Sequence, residues 1–445
     1  MRYAFILGRV YTLSLAELLQ KLGNLGINYK VLACAPEVVV LETDQPIQAD
    51  KLQPQLGGII KIIRLLDTFQ KKGKEYPSNA LINYFNFKRI KSDYFGEYSG
   101  KRQFGVSIYS LDPAIRFREE SSRIAFLIKK ILQEQSVSVR AVLPQFPSMA
   151  LSSVQVNENQ LLTKGAEIVV VSGTQRVFVG KTLTVQNYED YGRRDYQRPA
   201  RDEKVGMIPP KVAQSMINMA GNLKPLDYIL DPFCGSGTIL QEALLLGLRA
   251  IGSDLEEKMI HNSEKNLEWF RNRYHVAPGR YKLFVSDAAE ISLQLPRFPI
   301  SAIVTEGTLG PIYGKVPKKS EMKANFKMLN KLYTQVFAEF KKFLPEGHRV
   351  VMCLPAYKAS FTDYEYMDTV DFALSNGYTV LDSIPPELVK KYKFLKVTER
   401  KSIVYDRKDQ VVAREIIIFQ YGEERLELSG NEAGIVESQT SDVTE

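Results

Sequence analysis

The second half of the chain alternates short apolar strands with longer helices, and this rhythm constrains the fold more than any other feature of the sequence. The predicted strands cover residues 228–231, 250–254, 283–287, 302–305 and 349–354. The predicted helices lie near residues 239–246, 258–273, 324–343 and 367–377. Short apolar strands separated by helices are typical of a doubly wound, mostly parallel sheet. A further strand, at 415–419, is predicted to join this sheet late, as an antiparallel edge.

The first half of the chain has a less regular pattern and is predicted as an α+β region. Strands are expected at 3–7, 38–41, 104–110, 167–171 and 176–180, and helices at 14–25 and 119–133. The proline-punctuated run 188–199 is expected to be a linker or an irregular arm. The predicted division of the chain is 1–70 and 71–165 for two N-terminal domains, 166–203 for a linker or arm, 204–422 for the alternating domain and 423–445 for a disordered acidic tail.

Bulk composition indicates a soluble protein with more than one domain. A chain of 445 residues is too long for one ordinary core, and 44% hydrophobic with 25% charged residues is usual for globular proteins. No apolar run is long enough to span a membrane and no signal-peptide cleavage site is present, so we expect a cytoplasmic protein. The three cysteines and three histidines lie far apart, which predicts neither a metal site nor a disulfide framework.

Charge indicates a polyanionic partner. From Glu423 onward the chain has seven acidic residues and one basic residue, a balance of −6, so with +8 overall residues 1–422 carry +14. Such an excess favours a nucleic acid as partner. Basic residues also interleave with aromatic ones, and cations contact phosphates while aromatic rings stack on unpaired bases. The candidate RNA contacts are Lys88, Arg89, Lys101, Arg102, Arg193, Arg194 and Arg198, with further lysines within 318–331 and 390–396.

The loop DPFCGSGT follows the first strand of the alternating region and opens a helix. Its two glycines allow a sharp turn and let a ligand approach the backbone. Asp254 ends the next strand, where a carboxylate can accept hydrogen bonds from ribose hydroxyls, and Asp287 ends the third, where it can accept one from an adenine amino group. The candidate cofactor residues are Asp231, Phe233, Cys234, Gly235, Ser236, Gly237, Thr238, Asp254 and Asp287.

The same loop discriminates between nucleoside cofactors. A dinucleotide requires G-x-G-x-x-G with the pyrophosphate at the helix N-terminus. Here Leu240 stands at the third glycine position, and the leading Asp231 would repel a phosphate. An acidic strand end suits a cationic cofactor, and S-adenosylmethionine carries an ammonium and a sulfonium but no phosphate. The sequence therefore favours a methyltransferase over a dehydrogenase.

DPFCGSGT is similar to the cofactor motif of the amino-methyltransferases, which methylate exocyclic amines of nucleic-acid bases. The upstream run YGRRDYQRP at 191–199, with Asp202 and the run GMIPPK at 206–211, resembles the THUMP-domain tRNA guanosine-N2-methyltransferases. This resemblance implies a Rossmann-like class I methyltransferase domain preceded by a ferredoxin-like domain and a THUMP RNA-binding domain. It implies tRNA as partner and leaves open the modified nucleotide, the number of methyl groups, the oligomeric state and an activating protein subunit, which some relatives use.

The stretch IVTEGTLGP, which begins at Ile303, occupies the place of the catalytic fourth motif of that family. The family motif reads Asp/Asn-Pro-Pro-Tyr/Phe, in which the acid or amide accepts hydrogen bonds from the target amine and the ring stacks on the base. The resemblance assigns the accepting role to Glu306, although both prolines and the aromatic residue are absent. Leu309 cannot stack on a base, which makes Tyr313 or the 193–198 arm the candidate for that role.

Three functions remain open at this point. The first is methylation of guanosine N2 in tRNA, with the loop after Glu306 rebuilt but active. The second is methylation of another exocyclic amine, such as adenine N6 in RNA or DNA. The third is an RNA-binding protein that retains the cofactor fold without catalysis.

Overall fold

The structure is a computed structural model that describes residues 1–71, 75–95, 102–112, 117, 119–201, 207–295, 298–359, 363–367, 370–407 and 410–422. Lys101, Asp202, Gly206 and the acidic tail from Glu423 onward lie outside the described residues. None of the helices in the described part of the chain is long and apolar enough to cross a membrane.

The described strands form two sheets. They are β1 (Arg2–Leu7), β2 (Tyr29–Ala35), β3 (Val38–Thr43), β4 (Ile59–Gln70), β5 (Arg102–Ser110), β6 (Val139–Val142), β7 (Gly165–Ser172), β8 (Arg176–Val185), β9 (Tyr228–Asp231), β10 (Arg249–Asp254), β11 (Tyr281–Val285), β12 (Ile300–Glu306), β13 (Arg349–Lys358), β14 (Tyr364–Glu365), β15 (Tyr378–Val380), β16 (Ile403–Tyr405) and β17 (Val412–Tyr421).

Helices flank both sheets. They are α1 (Tyr11–Asn24), α2 (Ala49–Leu52), α3 (Pro77–Leu81), α4 (Phe87–Arg89), α5 (Glu120–Glu134), α6 (Ser153–Glu158), α7 (Tyr188–Tyr196), α8 (Pro210–Asn218), α9 (Thr238–Leu245), α10 (Glu257–Tyr274), α11 (Lys319–Phe340), α12 (Asp371–Leu374) and α13 (Pro386–Lys391). A π-helical turn follows α4 at Ile90–Phe95, and 3-10 turns lie at Gln53–Gln55 and Ala288–Gln294.

The first sheet is built from the N-terminal part of the chain. Its eight described strands are ordered β2-β3-β1-β4-β8-β7-β5-β6. Strand β4 pairs with β1 on one side and with β8 on the other, so the two predicted N-terminal domains share one continuous sheet. The structure therefore corrects the prediction of a linker at 166–203. Strands β7 and β8 lie inside the first sheet, and helix α7 occupies most of the predicted irregular arm.

A buried polar cluster ties four strands of the first sheet together. Glu167 on β7 pairs with the Lys61 ammonium on β4 and accepts hydrogen bonds from the hydroxyls of Ser107 on β5 and Thr182 on β8. Lys61 also donates to the Leu151 carbonyl at 2.7 Å. Because a buried ion pair is tolerated only when its hydrogen bonds are satisfied, this cluster fixes the register of strands from both halves of the sheet.

The second sheet confirms the predicted doubly wound α/β fold. Its described strands are ordered β11-β10-β9-β12-β13-β17-β15, with β14 and β16 paired at the side. Strands β9 to β13 pair in parallel. The central residues of β9, β10, β12 and β13 are buried on both faces, as helices on both sides of a parallel sheet require, whereas β11 at the edge is partly exposed. Strand β17 is antiparallel as predicted, but it lies between β13 and β15 and is not an edge. The predicted helix at 367–377 is described only as the short α12.

The two sheets are joined through one hydrophobic core. Residues of β1, α1 and β4 and residues of α8, α9 and α13 belong to the same buried cluster. Glu17 on α1 accepts hydrogen bonds from the Gly57 and Gly58 amides at 2.7 Å and from the Asn218 side chain at 2.8 Å. A Cβ on Gly57 would lie 2.1 Å from the Lys211 carbonyl oxygen, so only glycine permits this approach of the two parts.

Candidate active site

The predicted cofactor carboxylates converge on one edge of the second sheet. Asp231 ends β9, Asp254 ends β10 and Asp287 follows β11, and these three strands are neighbours in that order. Glu306 ends β12 on the other side of β9. Because the carboxyl ends of parallel strands meet at the same edge, all four acids border one crevice.

Helix α10 holds the glycine loop between β9 and α9 in place. Gly235 and Gly237 have φ of +51° and +82°, a left-handed conformation that favours glycine. The Ser263 hydroxyl donates to the Gly235 carbonyl at 2.8 Å, and the Asn266 side chain donates to the Ser236 carbonyl at 2.9 Å. The buried Cys234 thiol lies 3.8 Å from the Ser263 hydroxyl. Side chains of α10 thus hold the carbonyl groups of the loop, while the Gly235 amide donates to Asp254 at the end of β10.

Asp254 and Asp287 differ in how firmly they are held. The two oxygens of Asp254 accept hydrogen bonds from the Gly235 and Glu256 amides, each at 3.0 Å, so the loop itself orients this carboxylate. Asp287 is exposed and accepts a hydrogen bond from the Ala289 amide at 2.9 Å as the cap of a 3-10 turn. Each carboxylate retains lone pairs for ligand donors beyond these contacts.

Asp231 is the buried acid of this edge, with only 2% of its surface exposed. One of its oxygens accepts hydrogen bonds from the Thr305 hydroxyl at 2.6 Å and from the Phe233 amide at 3.2 Å. Burial raises the pKa of Asp231 to about 7; these hydrogen bonds lower it, and the charges of Asp254 and Glu306 raise it further. A cation bound beside Asp231 would therefore keep it ionised at neutral pH.

These residues fit S-adenosylmethionine better than a phosphate-bearing cofactor. A buried acid at the head of the glycine loop suits an ammonium and a sulfonium and opposes a phosphate. Asp231 and the loop would hold the methionine part, Asp254 the ribose hydroxyls and Asp287 the adenine amino group. Among the described residues, no cluster of three or more histidine, cysteine, aspartate or glutamate side chains could hold a metal ion.

Glu306 has a cationic partner that sequence reasoning missed. The Arg414 guanidinium on β17 donates through Nε to one carboxylate oxygen of Glu306, and the two side chains are 1% and 16% exposed. Burial raises the pKa of Glu306, whereas Arg414 and a hydrogen bond from the Ile208 backbone lower it. The signal in the sequence was an arginine inside the apolar run VVAREIII, where a buried charge requires a partner.

The loop after Glu306 is rebuilt around α11. A Cβ on Gly307 would lie 2.4 Å from the Met352 methyl group and 2.6 Å from the Tyr333 hydroxyl, which leaves no room for the proline of the family motif. The Tyr333 hydroxyl donates to the Thr308 carbonyl at 2.6 Å, and the Asn325 side chain donates to the Leu309 carbonyl at 3.3 Å. These contacts replace proline rigidity with hydrogen bonds from α11.

Tyr313 lies after this loop and is half-buried. Its ring contacts the Tyr357 ring edge to face, with 5.8 Å between the centroids. One side of Tyr313 is thereby occupied, and its stacking on a base stays a prediction.

The structure corrects the prediction for two arginines of the arm. Arg194 is 2% exposed and pairs with Asp190 and, at 2.6 Å, with Glu242 on α9. Arg198 is 3% exposed and donates to the Thr238 hydroxyl at 2.5 Å. Both guanidinium groups therefore fasten the arm to the helix of the cofactor loop and do not face RNA phosphates. The sequence predicted this arm to be exposed because it is rich in charged and aromatic residues. The acidic partner of Arg194, Glu242, lies on a helix that is distant in the sequence.

The other predicted RNA contacts among the described residues lie at or near the surface. Arg193 is half-exposed and pairs with Glu189 at 3.1 Å. Lys88 is exposed, and the guanidinium groups of Arg89 and Arg102 lie over the rings of Tyr84 and Phe95 at 4.5 and 5.1 Å. Tyr84 and Phe95 belong to the same hydrophobic cluster of the first sheet, so this part of the chain gathers several cations around one group of aromatic residues.

Comparison with known families supports a methyltransferase domain at this position. Residues 194–382 match the family described as an RMKL-like methyltransferase domain, which includes the glycine loop, Asp254, Asp287 and Glu306. Residues 69–265 match a family described as DNA methylase.

Two curated relatives with the same name match part of the chain. A tRNA (guanine(10)-N2)-dimethyltransferase of Methanothermobacter thermautotrophicus is 30% identical over 206 residues, which cover 46% of this chain and 54% of the relative. A protein of the same name from Pyrococcus abyssi is 29% identical over 153 residues, which cover 34% of this chain and 42% of the relative. The chain thus spans about half the length of the curated relatives it matches.

A solved structure shares the fold over nearly the whole chain. The crystal structure of TrmN from Thermus thermophilus covers 95% of this chain and 100% of its own, with a TM-score of 0.51 and 14% identity. The predicted fold class and cofactor are confirmed by these matches. The sequence relatives, the family match and the convergent strand ends lead to one conclusion: residues 194–382 form a methyltransferase domain similar to that of proteins named tRNA (guanine(10)-N2)-dimethyltransferase.

Proposed function

We propose that this protein transfers a methyl group from S-adenosylmethionine to the exocyclic N2 of a guanosine in tRNA. The observation that carries the proposal is a carboxylate, Glu306, held beside a cation at the strand end next to the cofactor loop. The named activity of the relatives supports the choice of substrate.

The chemistry asked of the protein is positioning. S-adenosylmethionine supplies an activated methyl group when bound. An oxygen of Glu306 accepts a hydrogen bond from the target amine, which raises electron density on the nitrogen and directs its lone pair at the methyl carbon. In the transfer the sulfur would keep the electrons of its broken bond to the methyl carbon, and the proton displaced from the methylated nitrogen would pass to water. Glu306 must be ionised for the accepting role, and its arginine partner favours that state.

For tRNA docking, we propose that the RNA contacts the part of the chain that forms the first sheet and the exposed face of α11 near the active site. Lys323, Lys327 and Lys331 of α11 are exposed, and this helix begins shortly after the loop that carries Glu306. Residues 1–185 carry the cations grouped around Tyr84 and Phe95. Substrate recognition by phosphates predicts a tRNA affinity that falls steeply with salt concentration. A tRNA substrate also supports the proposed cytoplasmic location.

The test is incubation with labelled S-adenosylmethionine and unmodified tRNA, followed by nucleoside analysis. The proposal predicts label in N2-methylguanosine or its dimethyl form, and no label with the Glu306→Gln variant. Label in any other nucleoside, or bound cofactor without label in a folded protein, would contradict it.

A second candidate is methylation of adenine N6. The match of residues 69–265 to a DNA methylase family favours it, because such enzymes also act on an exocyclic base amine. The same nucleoside analysis, run with single-stranded DNA beside tRNA, separates the two: N6-methyladenine supports this candidate and excludes the first.

A further inference from the structure

The pair between Glu306 and Arg414 reaches across an intervening strand. Glu306 on β12 is opposite Cys353 on β13, and Arg414 on β17 is opposite Pro355 on the same β13. Strands in a sheet lie about 4.8 Å apart, so the two backbones are separated by about 10 Å. Only two long side chains extending toward each other can close this distance.

This geometry explains why glutamate stands where the family motif has aspartate or asparagine. An aspartate at 306 would be one methylene shorter and would lose the contact with the Arg414 Nε. The guanidinium itself is anchored, since its Nη1 donates to the Gln410 side chain at 2.7 Å. The longer acid is therefore matched to a fixed cation two strands away.

The surroundings of the pair make the cation necessary for an ionised Glu306. The groups that act on the pair from the neighbouring strands and helix are Asp231 on β9, Cys353 on β13, Tyr333 on α11 and Tyr405 on β16. These are acids or neutral groups. In such surroundings burial alone favours the protonated carboxyl, which is a weaker acceptor for an amine.

We propose that Arg414 is a positioning residue for catalysis: it keeps Glu306 in the ionised, accepting form and turns one of its oxygens toward the target amine. This inference rests on the proposed role of Glu306. It adds that the proposed catalytic site requires two residues, Glu306 on β12 and Arg414 on β17. The arginine contributes without touching the substrate.

The experiment compares Arg414→Gln and Arg414→Lys with the parent protein, with kcat measured across a pH series at saturating tRNA and S-adenosylmethionine. Arg414→Gln is expected to lower kcat about 100-fold near neutral pH, within the range for loss of acid–base assistance. The loss of kcat in Arg414→Gln should become smaller at higher pH. Without the arginine the pKa of Glu306 rises, and the acid limb of the kcat profile moves to higher pH. Arg414→Lys restores the charge without the fork geometry and recovers part of the rate and of the pH profile.

Three outcomes decide the matter. A loss of kcat that is equal at every pH and is not rescued by lysine assigns Arg414 a structural role and overturns the inference. Full activity of a folded Glu306→Gln variant removes the role of Glu306 and so the proposed mechanism itself. Loss of activity in Glu306→Gln with an unchanged pH profile in Arg414→Gln removes only the role of Arg414. Affinity for S-adenosylmethionine, measured by calorimetry, is expected to be unchanged in all variants.

Glu306→Asp gives an independent test if Arg414→Gln does not fold. The shorter acid keeps its charge but loses contact with Arg414, so the same lowered kcat and the same upward shift of the acid limb are expected. A Glu306→Asp protein with the parent's pH profile would contradict the inference.

Discussion

Asp231 and Glu306 end neighbouring strands of the same sheet, the first buried and the second partly buried, yet the two carboxylates have partners of different charge. Asp231 is held by a hydroxyl and a backbone amide, both neutral, and burial raises its pKa to about 7. Glu306 is held by a guanidinium, which opposes the effect of burial. Burial raises the pKa of both acids, but only Glu306 has a charged partner within the protein that opposes the rise. Asp231, on the proposed cofactor side, has neutral partners and would need a bound cation to favour its ionised form.

The loops that follow these two acids use glycine for different reasons. Gly235, after Asp231, has open space around it but a φ of +51°, so its backbone conformation requires glycine. Gly307, after Glu306, lacks a left-handed φ but has no space for a side chain. The first loop is shaped by its turn and the second by packing against α11.

Among the variants that test this contrast between Asp231 and Glu306, the one that removes the charge of Glu306 should have the largest effect on activity. Glu306→Gln is expected to lower kcat by about 10³-fold, since an amide accepts hydrogen bonds more weakly and also leaves Arg414 without its carboxylate. Affinity for S-adenosylmethionine should stay at the parent value, because the cofactor side is untouched. Single-turnover methylation and calorimetry measure the two quantities. A parallel loss of both would show that the two strand ends are not separate in function.

Gly307→Ala tests the packing of the second loop. The added methyl group meets Met352 and Tyr333, and overpacking of this kind costs about 1–3 kcal/mol in the free energy of unfolding. Gly314→Ala is the matched control, because nothing lies within 4 Å of a Cβ at that position. Urea unfolding compares the two variants. Equal stability of both would mean that the loop adapts to the side chain.

Asp231→Asn tests the titratable strand end. In the parent protein, affinity for S-adenosylmethionine should fall as the pH drops below about 7, because the protonated acid no longer attracts a cation. The asparagine variant should bind about tenfold more weakly above neutral pH, equivalent to about 1.4 kcal/mol, and should lose this pH dependence. Calorimetry across pH 6 to 8 measures the affinities. Glu306→Gln is the control, since it should retain the pH dependence.

The same proton affects stability without the cofactor. The folded-state pKa of Asp231 lies above the ordinary value of 3.8 for an aspartate, so its stabilising contribution is present below pH 3.8 and is lost as the pH rises through about 7. The difference in free energy of unfolding between parent and Asp231→Asn should therefore change over this window. Urea unfolding at several pH values measures it. A constant difference would show that Asp231 ionises at an ordinary pKa.

Thr305→Val should have the smallest effect. It removes the hydroxyl that donates to Asp231, a hydrogen bond of about 1 kcal/mol, and the pKa of Asp231 should rise. The pH below which affinity for S-adenosylmethionine falls should move upward together with the pKa of Asp231. The value of kcat at saturating substrate and cofactor should be retained. A change in kcat without this shift would place Thr305 on the substrate side instead.

Local patterns in the sequence predicted which acids lie at the strand ends of the second sheet, but not which side chains pair with the charged residues around them. Asp231, Asp254 and the glycine loop were predictable because strand ends and turns are encoded by adjacent residues. Arg414 was not, because it pairs with an acid 108 positions away and its partner depends on strand order. Arg194 was misassigned for the same reason, since Glu242 lies 48 positions further along the chain.

The domain division failed at a related point. Strands β7 and β8 were predicted as strands, but their partner β4 comes from the first part of the chain. A pairing between distant strands leaves no mark in either segment, so a boundary placed by composition cut through a sheet.

The shared core has a consequence for how the molecule comes apart. Because α1 and β4 of the first sheet and α8 of the second sheet lie in one buried cluster, separating the two halves would expose apolar surface on both. We expect heat to unfold the protein in one cooperative transition, with equal calorimetric and van't Hoff enthalpies. The Glu17 contacts with Gly57 and Asn218 link the two halves directly. Breaking them should therefore lower the unfolding temperature of the second sheet together with that of the first.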